Sequence, residues 1–340
     1  MIRLRPRPLD TRADLQAALQ MAIQLELSTL PPYLYALYTL RPVANEPVRT
    51  RISAIVREEM THMALAANIL NAIGGTPVLA DAAVVPVYPG PLPFDIGGDG
   101  DGPLTVSLLP FGTAAMDQAM RIEEPEDPIE FPSVAAFPAT FQTIGQFYAA
   151  LDGALTALPP TAWAVPPRNQ LGDHPFFPGE LFPVAGAADA SKAIERIVSE
   201  GEGTPKTPLD FEGEVSHYYR FEEIRRDQLL EKDSSVPQGF RWGEPLGVDW
   251  DAVLPAIADP GEHDFSSDPP TQAAQDACDR AFTVMLEDLQ RALNGEAGRL
   301  GNAVRAMFDL TMAARAALAV PLEGSEKVAG PAFRFRPELV

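Results

Sequence analysis

Apolar positions recur at steps of three and four over several long stretches of the chain, and the material between them is rich in proline and glycine. That spacing predicts amphipathic helices. The first runs from Asp14 to about Leu40 on the stripe Leu15, Leu19, Ala22, Glu26, Leu30, with Pro31 and Pro32 expected to kink or restart it. The second runs from Arg49 to Ile73 and stops at Gly74 and Gly75. A third is predicted over 134–158, and a fourth bundle region over 191–230, made of a short helix from Ser191 to Ser199 and a longer one from Glu212 to Leu230. Thr271 to Leu293 and Arg299 to Leu318 read as a C-terminal helical hairpin broken at NGEAG. Strand-like alternation is scarce, so the expected class is all-α, helix packed on helix.

Between these helices lie three loop-rich stretches, 76–133, 159–189 and 232–270, of which the first reads as a long crossover with one or two short strands. Loops of that length in a compact domain usually serve a purpose, and these are expected to wall a pocket or form a lid. The 340 residues are 46% hydrophobic with mean hydropathy near zero, as in a soluble globular protein. A net charge of -21 repels phosphate, which argues against nucleic acid and anionic membranes as partners. Cys278 is the only cysteine, so neither an internal disulfide nor a thiolate cluster can form. A reducing, cytoplasmic location is expected, without signal peptide or membrane span.

Within REEMTHMALAANILNAIGG the stripe reads Ile52, Ile55, Glu59, His62, Ala66, Ile69, Ile73, so a carboxylate and an imidazole stand where a core expects leucine; Glu58 is predicted to point elsewhere. Residues three apart on a helix are neighbours, and the same spacing recurs at Glu214 and His217. Glu26 interrupts a third stripe. Several buried carboxylates repel one another unless protonated or neutralised, and no Lys or Arg lies in register to do so. A divalent metal would. Glu-x-x-His motifs with single Glu residues from the other helices form the ligand set of ferritin-like di-iron and di-manganese bundles. Glu26, Glu59 and Glu214 supply three negative charges, and Glu202 in the EGEG segment would supply a fourth to balance two divalent ions. The alternative is a pair of mutually satisfied Glu and His groups, invoked twice.

The segments LELSTLPPYLYALYTL, EEMTHMALAANILNAIGG, TIGQFYAAL, SEGEGTP, EVSHYYRFEEI and AGPAFRF, in that order, resemble the bacterial ferritin-like family related to the iminophenyl-pyruvate dimer synthases, whose larger members build bisindole pigments. The resemblance implies a four-helix ferritin-like bundle with long irregular insertions plus the C-terminal hairpin, the whole chain 1–340 forming one domain. It implies metal ligands at Glu26, Glu59, His62, Glu214 and His217, with Glu202 added. One departure is Gln146, where an IGEFY-type motif would carry Glu; it leaves a mononuclear or asymmetric site open beside a dinuclear one.

Among the tyrosines, Tyr148 and Tyr218 are the first candidates for a catalytic role beside the metal, with packing as the alternative. The expected activity is a non-haem oxidase or oxygenase, with one or two Fe ions or else Mn. It would use dioxygen or peroxide on a small aromatic amine- or imine-type substrate, including oxidative coupling in secondary metabolism. A homo-oligomer and an upstream amino-acid oxidase are the candidate protein partners. The competing classes are an iron-storage protein and an interaction module that binds no metal.

Overall fold

The computed structural model describes residues 9–41, 43–92, 104–125, 144–204 and 207–340, with the side chains of Ile144, Gln146 and Glu202 outside the described set. Among the described residues there are eight α-helices and two minimal two-stranded sheets: α1 Arg12–Thr39, α2 Glu46–Ala72, α3 Thr113–Ile122, α4 Ile144–Thr156, α5 Ala187–Glu202, α6 His217–Arg226, α7 Pro269–Leu293 and α8 Leu300–Ala317. The all-α expectation holds.

Helix α1 begins on a capping box: Thr11 Oγ1 accepts from Asp14 N at 3.2 Å, and Asp14 Oδ2 accepts from Thr11 N at 2.9 Å. It then runs through Pro31 and Pro32 without a restart. Pro32 cannot donate to the Ser28 carbonyl, and the Tyr88 hydroxyl donates to that carbonyl instead, at 2.7 Å. Helix α2 returns antiparallel. Its last carbonyl, Ile73 O, accepts from Gln16 Nε2 at 2.9 Å and from Arg12 Nε at 2.6 Å, which ties the end of α2 to the start of α1.

Helices α4 and α5 pair and pack on α1 and α2, while α3 and α6 pack together against the same long pair. The α7–α8 hairpin lies against α1 and α2 as well. A single buried hydrophobic cluster extends from Leu15 to Phe333, and a smaller one gathers Tyr219, Leu230 and Phe240.

Two predicted regions differ, the crossover and the fourth bundle region. The crossover 76–133 contains β1 Gly90–Pro91 and β2 Thr105–Val106 as expected, but also α3, a helix not expected there. The third predicted helix, 134–158, is helical from Ile144 to Thr156, and its part at 134–143 lies outside the described residues. In the fourth region the lengths are reversed: α5 spans 16 residues and α6 only 10. The reason is Asp210, whose Oδ1 accepts from Glu212 N at 2.9 Å and Glu214 N at 2.8 Å. That turn, closed through Gly213 at φ +85°, keeps the chain out of helix until Ser216. Asp227, at φ 55°, ends α6, and Leu230–Lys232 goes on as β3, antiparallel to β4 Phe240–Trp242.

Candidate metal centre

Four helices bring buried acids and imidazoles together. Glu26 comes from α1, Glu59 and His62 from α2, Glu123 from the C-cap of α3, and His217 from the first turn of α6. All five are at most 7% exposed. They form two three-donor groups, Glu26–Glu59–His62 and Glu59–Glu123–His217, each with ligand atoms within 4.8 Å of one another, and Glu59 belongs to both.

The imidazoles point the same way. His62 Nδ1 faces Glu26 Oε2 at 3.8 Å and Glu59 Oε1 at 3.9 Å, whereas its Nε2 bonds Glu200 Oε2 at 2.7 Å. His217 Nδ1 faces Glu59 Oε1 at 2.7 Å and Glu123 Oε2 at 3.7 Å, whereas its Nε2 bonds Glu58 Oε2 at 2.9 Å. The rings lie 5.5 Å apart, 24° from parallel. Two tyrosines complete the pattern: Tyr148 donates to Glu26 Oε1 at 2.7 Å and Tyr33 to Glu123 Oε1 at 2.5 Å. Thr29 donates to Glu59 Oε2 at 3.1 Å.

Electrostatics show what the cluster needs. Burial, then the charge of Glu59, pushes Glu26 well above the usual carboxylate range, and the same two causes raise Glu123. Burial opposes ionisation of Glu59 too, but the adjoining His217 and His62 outweigh it and hold Glu59 at about 2. His217 is raised well above 6.5 by its three carboxylate neighbours in spite of burial. Protons here occupy the role of cations. His217 Nδ1 is buried and makes no hydrogen bond, although Glu59 Oε1 lies 2.7 Å away. A buried ring nitrogen without a hydrogen bond, among three convergent carboxylates, fits divalent metal bound by oxygen and nitrogen.

Glu26, Glu59, His62 and Glu123 line a cavity of about 30 Å³ whose other walls are Leu25, Thr29, Ile122, Ile197, Val198 and Gly201. A water needs roughly 10–15 Å³ by the same measure, so the space suits small ligands. A larger groove of about 600 Å³ on α7 and α8 contains none of the donors.

Of the residues expected at the site, Glu26, Glu59, His62, His217 and Tyr148 converge. Glu214 does not. Its side chain is 67% exposed and meets Arg220 Nη2 at 3.3 Å, because residues 212–216 are not helical and the three-residue spacing to His217 no longer makes them neighbours. Tyr218 also stands apart, half-buried against Tyr219 in the small second cluster. Glu202 ends α5 with its side chain outside the described residues; Glu200, also on α5 and 5% exposed, bonds His62. Glu58, predicted to point away, is 6% exposed and bound to His217, because α6 packs on that side of α2. The Gln146 side chain lies outside the described residues. Glu123 was missed, although Met116, Ala119 and Glu123 repeat the stepping of three and four that revealed Glu26.

Of the three loop-rich stretches, 76–133 walls this cavity through Ile122 and Glu123, whereas the described lining includes no residue of 159–189 or 232–270. Segment 159–189 covers the outer side of α2, where Glu180 pairs with Arg57 and Asn68 Nδ2 donates to Leu171 O and Phe182 O. Segment 232–270 packs at the α1–α2 turn, where Asn45 bonds the Asp249 backbone.

A bundle whose helices each lend a carboxylate or imidazole to one buried centre is the ferritin-like arrangement. The chain belongs to the ferritin-like family, whose family model matches residues 19–226. It is similar to dichlorochromopyrrolate synthase from Lentzea aerocolonigenes, 23% identical over 96% of this chain and 36% of that protein. It is also similar to 2-imino-3-(indol-3-yl)propanoate dimerase from Chromobacterium violaceum, 25% identical over 64% of this chain and 24% of that protein. The chain thus spans about a third or less of the length of these relatives. A crystal structure of a ferritin-like protein from Caulobacter vibrioides shares the fold, with TM-score 0.62, 23% identity and coverage of 97% of this chain and 99% of that one. No helix among the described residues is long and apolar enough to cross a membrane.

Proposed function

We propose that this chain is a metal-dependent oxidoreductase of the ferritin-like class that uses dioxygen or peroxide on a small aromatic amine- or imine-type molecule. The observation that carries this reading is Glu59, shared between two three-donor groups, each with a histidine Nδ1 turned inward. Iron held there, with manganese the alternative, would supply one-electron redox steps and a binding position for the oxidant. The residues do the rest. Glu26, oriented by Tyr148, and Glu123, oriented by Tyr33, would each hold metal in one half, Glu59 would serve both halves, and the apolar walls Leu25, Ile122 and Ile197 exclude bulk water.

The substrate class is supported by the names of the relatives, a 2-imino-3-(indol-3-yl)propanoate dimerase and a dichlorochromopyrrolate synthase. In an oxidative coupling a bond forms between two imine-derived molecules, each losing one hydrogen. The two electrons and two protons pass to dioxygen, giving hydrogen peroxide, or to peroxide, giving two waters.

Anaerobic iron(II) titration followed by oxygen exposure tests the reading. About two ions per chain, with a transient chromophore and oxidant consumption accelerated by an aromatic imino acid, is the expected result. Failure to take up iron overturns it, and uptake of many ions per chain as mineral would favour storage instead.

A further inference from the structure

The two imidazoles do not stop at the inner carboxylates. His62 Nε2 bonds Glu200, and Glu200 is gripped by Arg196 Nη2 at 2.7 Å. His217 Nε2 bonds Glu58, and Glu58 accepts twice from Arg220 Nη1, at 2.8 and 3.0 Å. The two chains of contacts are alike in order and come from different elements: α5 alone supplies one acid and its arginine, while α2 and α6 divide the other pair. Both arginines then reach the same surface turn, Arg196 toward Glu212 at 3.8 Å and Arg220 toward Glu214 at 3.3 Å. Those last contacts are rim pairs with carboxylates 68% and 67% exposed, worth little. The buried links dominate.

We propose that Glu58 and Glu200, each locked by its arginine, are positioning residues that accept a hydrogen bond from the Nε2–H of His217 and His62 and so present both Nδ1 lone pairs to the centre, without being ligands themselves. Two features of the geometry point there. Each acid lies on the far side of its ring from the inner carboxylates, and each is neutralised by an arginine, which leaves it no charge to offer a cation. Imidazole ligands with a carboxylate on the second nitrogen are fixed in tautomer and ring orientation, and loss of that partner typically weakens metal affinity about 10- to 100-fold. The inference rests on the metal reading above.

Cobalt(II) titration of the full chain with proton NMR of the loaded protein separates the cases. Wild type should bind two ions and show two exchangeable, paramagnetically shifted imidazole N–H signals. Glu200→Ala and Glu58→Ala should each still bind two, with affinity lowered about 10- to 100-fold, and each should displace a different N–H signal. Glu200→Gln and Glu58→Gln keep an acceptor oxygen and the side-chain shape, so they should retain both signals with a smaller affinity loss; they serve where an alanine variant does not fold. Arg196→Gln should move the signal that Glu200→Ala moves. Loss of one cobalt equivalent in either alanine variant would make that acid a ligand and overturn the proposal, as would unchanged affinity with unchanged signals. Wild-type protein that takes up no cobalt sinks the metal reading itself.

Discussion

Glu59 Oε1 stands 2.7 Å from His217 Nδ1, although 158 residues of chain separate them and no helix joins them. On its other side the same oxygen is 3.9 Å from His62 Nδ1, its neighbour one turn along α2. One carboxylate thus connects a local pair with a distant one, and the halves of the centre cannot be assembled separately.

Removal of that carboxylate should therefore cost both sites. Glu59→Ala is expected to lower metal stoichiometry by elemental analysis from about two toward zero, whereas Glu123→Ala or Glu26→Ala should leave about one. Glu214→Ala, at an exposed side chain, should leave the stoichiometry at the wild-type value.

The pH dependence follows from the shifted groups. Glu26, Glu123 and His217 are raised in the metal-free fold, so the stability they contribute is complete below their unfolded values and is lost as pH rises through the folded ones. Metal replaces those protons. The rise in Tm on adding metal should consequently grow from about pH 5 to pH 8, and titration calorimetry in buffers of different ionisation enthalpy should report proton release on binding. A Tm increment independent of pH would contradict the protonation assigned to these groups.

Glu58 and Glu59 impose the opposite limit. Both are held at about 2 against the opposing effect of burial, so their contribution is present above the ordinary carboxylate range and lost as pH falls toward 2. Acid unfolding followed by circular dichroism should extend to lower pH in wild type than in Glu58→Gln.

Cys278 is fully buried and its thiol is pushed up to about 12, by burial and then by Asp279. At pH 8 the native protein should not react with a disulfide reagent over hours, and one equivalent should react at once in denaturant. Fast labelling of native protein would show that α7 opens locally.

Asp279, fully buried, accepts from Arg334 N at 3.0 Å and Arg334 Nε at 2.7 Å, pinning the C-terminal segment to α7. Nearby Gly330, at φ +75°, lies where an added Cβ would come within 2.9 Å of the Tyr35 ring. Asp279→Ala should destabilise the fold by about 1–3 kcal/mol, since one buried partner of a charged hydrogen-bonded pair is lost. Urea melts of this variant and of Gly330→Ala should both move to lower midpoints.

The amino-acid sequence by itself determined the helical class, the α1–α2 pair, the α7–α8 hairpin and the convergence of Glu26, Glu59 and His62, because each of these is written in steps of three and four on long apolar stripes. It could not decide the register of His217, since the Asp210 side chain captures backbone amides locally and delays α6 past Glu214. Nor could it place Glu123, whose short helix is embedded in turn-rich chain, or Glu58 and Glu200, whose burial depends on which helices pack around α2 and α5. Periodicity records the face a helix turns toward its core. The partner across that core is chosen by packing, and here packing supplied the second half of the centre.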